Sequence, residues 1–285
     1  MRIGKFTSPA GRQRFQESYD EGMRLLPAPA AVHDVRTAFG EVRVYRFGAT
    51  GGVPIMLLHG RNGTAVSWQP NIAPLAERRT VYAVDLLGEA GASVQTAPIR
   101  DADDHAAWLD ETIAGLGLRT AHLVGYSIGG WAACNQVVRR PERVASISLL
   151  DPANTVGRIP VGTVLRTIPA FVSARGRTSF LRWVDGQGAD PLANPVGRVI
   201  DAAMRDYRPA LPQPAYFTDD QLRSVMMPVL AIVAGRSVMH DPVAALRRAE
   251  ALIPGVQAEL WPQATHSIAG QCADEVNARI LRFLG

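Results

Sequence analysis

The chain has 285 residues, 47% of them hydrophobic and 20% charged, which suits one large α/β domain with a substantial core and room for an inserted subdomain. The net charge is +4, but lysine occurs once, at Lys5, and the arginines are dispersed rather than gathered into a basic stripe with interleaved aromatics, so no nucleic-acid partner is expected. Cys134 and Cys272 form no C-x-x-C pair, no stretch approaches the ~18 apolar residues of a spanning helix, and the first residues lack the apolar run of a signal peptide, so the expectation is a cytoplasmic protein with no membrane partner.

An amphipathic helix is expected over residues 10–26, ended by Pro27 and Pro29. Residues 35–39 and 42–47 read as an antiparallel hairpin turning at Gly40-Glu41. An alternation of elements follows. Strands are expected at 53–58, 80–84, 120–124 and 144–150. Helices are expected at 68–77, shortened or kinked by Pro70 and Pro74, at 101–116, with three aspartates at its start, and at 128–139. Repeated β-then-α order argues for a mostly parallel central sheet covered by helices on both faces.

From Pro152 to about Arg223 the rhythm breaks. Prolines crowd in, and helical pieces such as 178–184 and 196–206 stand between them with no strand period. A structureless loop of that length is improbable inside a domain, so the segment is expected to be a helical cap inserted between two strands. The alternation resumes with a strand at 229–234, a helix at 242–252, a strand at 256–261 and a helix at 272–283. The expected division is therefore residues 1–151 and 224–285 as the α/β core, with 152–223 as the cap.

Within this order, Gly125-Tyr126-Ser127-Ile128-Gly129-Gly130 joins an apolar strand to a helix. A serine between glycines at a strand-to-helix turn is the G-x-S-x-G nucleophile elbow, which lifts the hydroxyl clear of the sheet and aims helix N–H groups at developing negative charge. The base of such a serine is expected late, after the last strand, and His266 is the one histidine there. The oxyanion donors are expected to be the backbone N–H of Ile128 and that of Arg61, in the loop His59-Gly60-Arg61-Asn62-Gly63, with Asn62 a weaker alternative.

On Leu58-His59-Gly60, Tyr82 to Gly88, the elbow, Arg140-Pro141-Glu142-Arg143-Val144 and the terminal histidine loop, the chain from about Val35 onward resembles the α/β-hydrolase superfamily, in its capped, carboxylesterase-like branch. The resemblance implies an α/β fold with a cap after the strand that follows the nucleophile helix. It also implies a shaping role for Asp85, in a looser version of the loop motif. Relatives usually carry the triad acid as G-x-x-[DE]; here Gly235-Arg236-Ser237-Val238 ends in a valine. Asp151 is favoured instead, because some relatives hold their acid at that strand end. Asp241, which with Pro242 reads as the start of a helix, is the alternative, and a dyad with no acid is the third.

The expected activity is that of a serine hydrolase acting on a small carboxylic ester without a cofactor. Acyl transfer, cyclisation, lyase chemistry and ligand binding without turnover remain alternatives. Trp68, Trp131, Trp183, Phe171 and Phe180 are candidates for an apolar acyl pocket, though each reads first as packing. The arginines at 158, 166, 175, 177, 182 and 198 are candidates for meeting an acidic group, though most read as solvated. His240 beside Asp241 is too little for a metal site, and no phosphate-binding glycine motif is present. The sequence leaves the oligomeric state open.

Overall fold

The apolar runs at 55–58, 81–84, 121–126, 144–150 and 229–234 become strands largely buried on both faces, the last run, at 257–261, becomes a partly exposed edge strand, and the polar-faced segments between them become helices laid on the sheet. In the computed structural model, which describes residues 2–48, 51–186, 188 and 190–285, the chain begins with β1 (Lys5–Phe6), α1 (Pro9–Met23), β2 (Ala31–Thr37), β3 (Gly40–Phe47) and β4 (Ile55–Leu58). It continues through α2 (Gln69–Ala76), β5 (Val81–Val84), β6 (Val94–Gln95), α3 (Ala102–Gly115), β7 (Ala121–Tyr126), α4 (Ile128–Arg139) and β8 (Val144–Leu150). The segment before the next sheet strand holds α5 (Val161–Val172), α6 (Ala174–Val184), α7 (Pro195–Asp206), β9 (Tyr207–Arg208) and α8 (Asp219–Arg223). The chain closes with β10 (Val229–Ala234), α9 (Pro242–Leu252), β11 (Gln257–Trp261), α10 (Ile268–Gln271) and α11 (Ala273–Leu284).

The main sheet runs in the order β11-β10-β8-β7-β4-β5-β3-β2, with β6 paired to β3. From β11 to β5 the pairs are parallel, and β3 and β2 add an antiparallel edge. Sidedness follows the strand period. Ile55 and Leu57 of β4 face a cluster with Trp68, Ile72, Leu75, Val276 and Ile280, whereas Met56 and Leu58 face the opposite one with Trp108, Leu109, Ile113 and Trp131. Each such side chain contributes about 1.5–3 kcal/mol on burial.

Three details depart from the sequence reading. The hairpin turns at Ala38 and Phe39, with Thr37 opposite Gly40, so Phe39 belongs to the turn and Gly40 to the strand. Pro74 lies inside α2 without breaking it; Pro74 cannot donate to the Pro70 carbonyl, and the Asn277 side chain of α11 donates to that oxygen at 3.2 Å. The segment inserted between β8 and β10 contains a helix the sequence did not announce, α5, whose Pro169 and Gly162 obscured it.

The N-terminal helix is joined to the inserted segment as well as to the sheet. Phe15 and Tyr19 of α1 pack with Val199, Ala202 and Ala203 of α7, and β1 pairs with β9. Arg14 pairs with Asp206 at 2.6 Å, and Arg198 with Glu21 at 2.5 Å. Thus α1 braces α7 over the C-terminal ends of the strands, where the connecting loops of such sheets carry ligand sites.

Candidate active site

Ser127 sits between β7 and α4 with φ 54° and ψ −122°, a conformation that disfavours any residue with a Cβ and costs about 1–3 kcal/mol. The flanking glycines have a measurable reason. A Cβ on Gly129 would stand 2.0 Å from the Leu58 carbonyl oxygen, and one on Gly125 would stand 2.2 Å from that of Gly129. Their absence lets α4 start directly against β4. The strained serine is held from both sides: its N–H donates to the Leu150 carbonyl at 3.1 Å, and its carbonyl accepts from the Ala153 N–H at 3.0 Å.

His266, in the loop between β11 and α10, brings Nε2 to 2.8 Å from the Ser127 Oγ. Its Nδ1 lies 2.6 Å from Asp151 Oδ2. Asp151 follows β8 directly, at a φ of 42°, and its N–H is fixed to the Ile232 carbonyl at 2.7 Å. The three residues come from three separate strand ends, brought together because β7, β8, β10 and β11 are sheet neighbours. Asp241 takes no part in this contact; it caps α9, accepting from the Ala244 N–H at 3.0 Å. Val238 offers only its carbonyl, which accepts from Thr163 Oγ1 at 2.7 Å.

Asp151 is fully buried and surrounded by donors. Oδ1 accepts from the Ala234 N–H at 3.0 Å, and Oδ2 accepts from the Ser237 hydroxyl at 2.6 Å as well as facing His266. A second histidine, His240, places Nε2 3.1 Å from Oδ1, off the line of a well-directed hydrogen bond, with no partner for its Nδ1 among the described residues. Burial by itself would raise the Asp151 carboxyl. The contacts from His240 and His266, and their charge when protonated, outweigh it and hold the group well below the usual carboxylate range. A carboxylate only accepts, so the proton on His266 sits at Nδ1 and the Nε2 lone pair faces the serine hydroxyl.

Sequence reasoning missed Ser237 and His240. It weighed His240 only as a metal ligand beside Asp241. The available signal was Val238: when a loop lacks the acid expected of it, its polar neighbours become candidates for serving an acid placed elsewhere. Gly235 permits the meeting, since a Cβ there would stand 2.6 Å from the Pro262 Cα, and this contact holds the loop after β10 against the loop leading to His266.

The loop after β4 lies against the nucleophile. A Cβ on Gly60 would meet the Tyr126 ring at 2.6 Å and the Ser127 Cβ at 3.3 Å. His59 is structural: it is completely buried, Nε2 accepts from the Leu86 N–H at 2.9 Å, Nδ1 lies 2.8 Å from the Gly60 carbonyl, and burial lowers its pKa. The Asn62 N–H is engaged with Glu89 at 3.2 Å, and the Arg61 side chain pairs with the same carboxylate at 2.7 Å. Asp85 accepts from the Ala65 N–H, the Ala92 N–H and the Tyr19 hydroxyl at 2.7–2.8 Å, which ties this loop, the next one and α1 into one unit.

The aromatic candidates separate. Trp68 is completely buried against Tyr126, and Trp131 packs with His105 and Phe217 and donates to the Ala215 carbonyl, so both are core residues. Phe171 is 62% exposed, while Phe180 and Trp183 pack on each other in α6. Of the arginines, Arg177 pairs with Asp201, Arg182 with Asp190 and Arg198 with Glu21, while Arg158 and Arg166 lie over the rings of Tyr216 and Trp183. The inserted segment reaches both loops of the site. The Thr163–Val238 bond ties α5 to one, and Asp185, at the end of α6, bonds Ser267 beside His266.

Residues 55–279 match the model of the alpha/beta hydrolase family. The chain belongs to the α/β-hydrolase family and is a carboxylesterase-like hydrolase. It is 32% identical to carboxylesterase YbfK of Bacillus subtilis (strain 168) over 290 residues, covering 98% of this chain and 96% of that one. The crystal structure of that carboxylesterase, also called CesB, aligns with a TM-score of 0.90 at 31% identity over 96% of this chain and 98% of that one. The naproxen esterase of Bacillus subtilis, also called carboxylesterase NP, aligns with a TM-score of 0.91 at 28% identity, covering 98% and 99% of the two chains.

Proposed function

We propose that the protein hydrolyses small carboxylic esters through an acyl-enzyme on Ser127. The observation that carries this reading is the hydrogen-bonded chain from Ser127 through His266 to Asp151, at 2.8 and 2.6 Å, on a family fold whose named relatives are carboxylesterases. Ser127 Oγ attacks the ester carbonyl while His266 Nε2 takes its proton. The N–H groups of Ile128 and Arg61 receive the negative charge that forms on the carbonyl oxygen; Asn62, engaged with Glu89, is the poorer donor. His266 then returns the proton to the leaving alcohol, and water, activated by the same nitrogen, releases the acid.

Asp151 fixes the tautomer and orientation of His266 and stabilises its imidazolium. Ser237 and His240 are positioning residues. They touch no substrate, but they occupy the oxygens of Asp151 so that the carboxylate keeps one orientation. This supports a triad whose acid stands at the strand end of β8, with polar residues of the loop after β10 attending it.

The test is intact mass after treatment with a fluorophosphonate, together with turnover of short nitrophenyl esters, for the wild type and Ser127→Ala. One adduct and ester turnover, both lost in the variant, are expected. Folded wild type with neither adduct nor turnover would remove the reading.

A further inference from the structure

Helix α5 is amphipathic in the wrong sense for a packed element. Its buried side is the small or polar stripe Thr163, Thr167 and Ala170, with Thr167 half-buried. Its outer side presents Val161, Val164, Leu165, Ile168, Phe171 and Val172, each more than half exposed, from 53% at Val164 to 80% at Val172. Scattered exposed apolar residues need no explanation, but six on one three-turn helix form a continuous patch of the kind that marks an interaction surface. The helix is not loosely attached: Thr163 holds it to the Val238 carbonyl, and its C-terminal turn meets α6 where a Cβ on Gly176 would stand 2.0 Å from the Pro169 carbonyl oxygen. Packing therefore fixes the outward orientation.

The charge around the patch is one-sided. From Pro152 to Val184 the chain carries five arginines (Arg158, Arg166, Arg175, Arg177 and Arg182) and no aspartate or glutamate. Arg177 is consumed by Asp201 and Arg182 by Asp190. Arg158, Arg166 and Arg175 remain exposed and without a carboxylate partner among the described residues. Arg166 and Arg175 border a groove with Trp183, an aromatic with a polar edge beside the apolar helix.

We propose that α5 is a docking face for an anionic lipid surface: its apolar side chains enter the acyl boundary and the unpaired arginines meet the headgroups. An apolar helix face with a basic border and an aromatic beside it is the chemistry of an interfacial helix. A second copy of this chain is the weaker occupant. Pairing α5 with itself would bring the arginines of both copies together with no acidic residue from 152 to 184 to compensate them. No helix among the described residues is long and apolar enough to cross a membrane, and the expectation of no membrane partner rested on that; a face that lies on a surface needs no spanning helix. The assignment is independent of the ester chemistry, because docking is read as binding.

The experiment is flotation of the full chain with vesicles of phosphatidylcholine alone and of equal parts phosphatidylcholine and phosphatidylglycerol, at low and high salt. The wild type is expected to float with the anionic vesicles and to be released as salt shortens the screening length from about 10 Å to about 3 Å. The variant Leu165→Ser/Ile168→Ser/Val172→Ser is expected to lose binding by about tenfold or more, while its melting temperature and its rate on a soluble nitrophenyl ester stay at wild-type values. Absence of wild-type binding to anionic vesicles overturns the proposal. So does equal binding by the folded triple variant, or a wild-type dimer in sedimentation equilibrium that the triple variant dissolves.

Discussion

Replacing Asp151 by Asn tests the site where it is most unusual. The side chain keeps its shape, and one oxygen still accepts from the Ala234 N–H. The amide nitrogen then takes the place of Oδ2, facing both the Ser237 hydroxyl and His266 Nδ1, which now lie at 2.6 Å from an acceptor. A donor there excludes a proton on Nδ1, so the neutral ring carries its proton on Nε2, pointing at Ser127, and cannot act as a base. In serine triads that wrong tautomer costs about four orders of magnitude in kcat, or about 5.5 kcal/mol of barrier. KM should change little, because Asp151 touches no substrate. The assay is steady-state turnover of a nitrophenyl ester by purified protein, with circular dichroism and a melt to show that the variant is folded. The control is Asp241→Ala, expected to lose about 1 kcal/mol of stability through the lost cap and to keep wild-type kcat. A folded Asp151→Asn within tenfold of wild type, or a collapse of kcat in Asp241→Ala, would refute the assignment. There is a pH arm as well. The folded-state pKa of Asp151 lies below the ordinary 3.8, so its stabilisation is present above that pH and is lost as pH falls further towards the folded value. The Asn variant should lack this acid limb in a pH series of melting temperatures.

Other changes follow from particular contacts. His240→Leu should lower kcat by a few-fold, less than the roughly tenfold or more that a well-directed hydrogen bond to a charged group, worth about 1.5–3 kcal/mol, would imply, because Nε2 stands 3.1 Å from Asp151 Oδ1 off the hydrogen-bond line; His240→Gln, which keeps a donor near Asp151 Oδ1, should recover most of the rate, an effect that a merely space-filling role would not produce. Gly129→Ala should lower stability by at least about 1–3 kcal/mol, measured by denaturant melts, because its Cβ stands 2.0 Å from a backbone oxygen in a packed sheet. His105 is buried between Trp108 and Trp131, and burial, followed by the charge of Arg61, lowers its pKa from 6.5 to about 4. The unfolded chain therefore binds a proton that the native state refuses between these values, and stability should fall by about 1.4 kcal/mol per pH unit as pH drops through that window; His105→Leu should flatten the slope of melting temperature against pH.

Much of the fold was legible because it is written locally. The strands Val144–Leu150 and Val229–Ala234 and the helices Ile128–Arg139 and Pro242–Leu252 have the bounds that apolar runs and caps indicate. The elbow was legible for the same reason, since Gly125, Ser127 and Gly129 lie within five residues and answer to one tight turn. His266 could be singled out by its place after the last strand. The hairpin turn was misplaced by two residues because Gly40 looks like a turn glycine but lies in the strand, opposite Thr37. Helix α5 was missed because Gly162 in its first turn and Pro169 near its end read as breakers of a helical run.

By itself the sequence determined the alternation that makes a parallel sheet, the nucleophile turn and the late histidine, all of which depend on neighbours in the chain. It favoured Asp151 over Asp241 only through the resemblance to relatives that hold their acid at that strand end, because a carboxylate's role depends on which groups surround it in space. The sheet order puts β8 between β7 and β10, and this alone carries Asp151 to His266 while leaving Asp241 at a helix cap. The same packing brings Ser237 and His240 to that carboxylate from the far side of the inserted segment, over 80 residues along the chain. Distances between strand ends are set by register and layer packing, and those are properties of the assembled sheet.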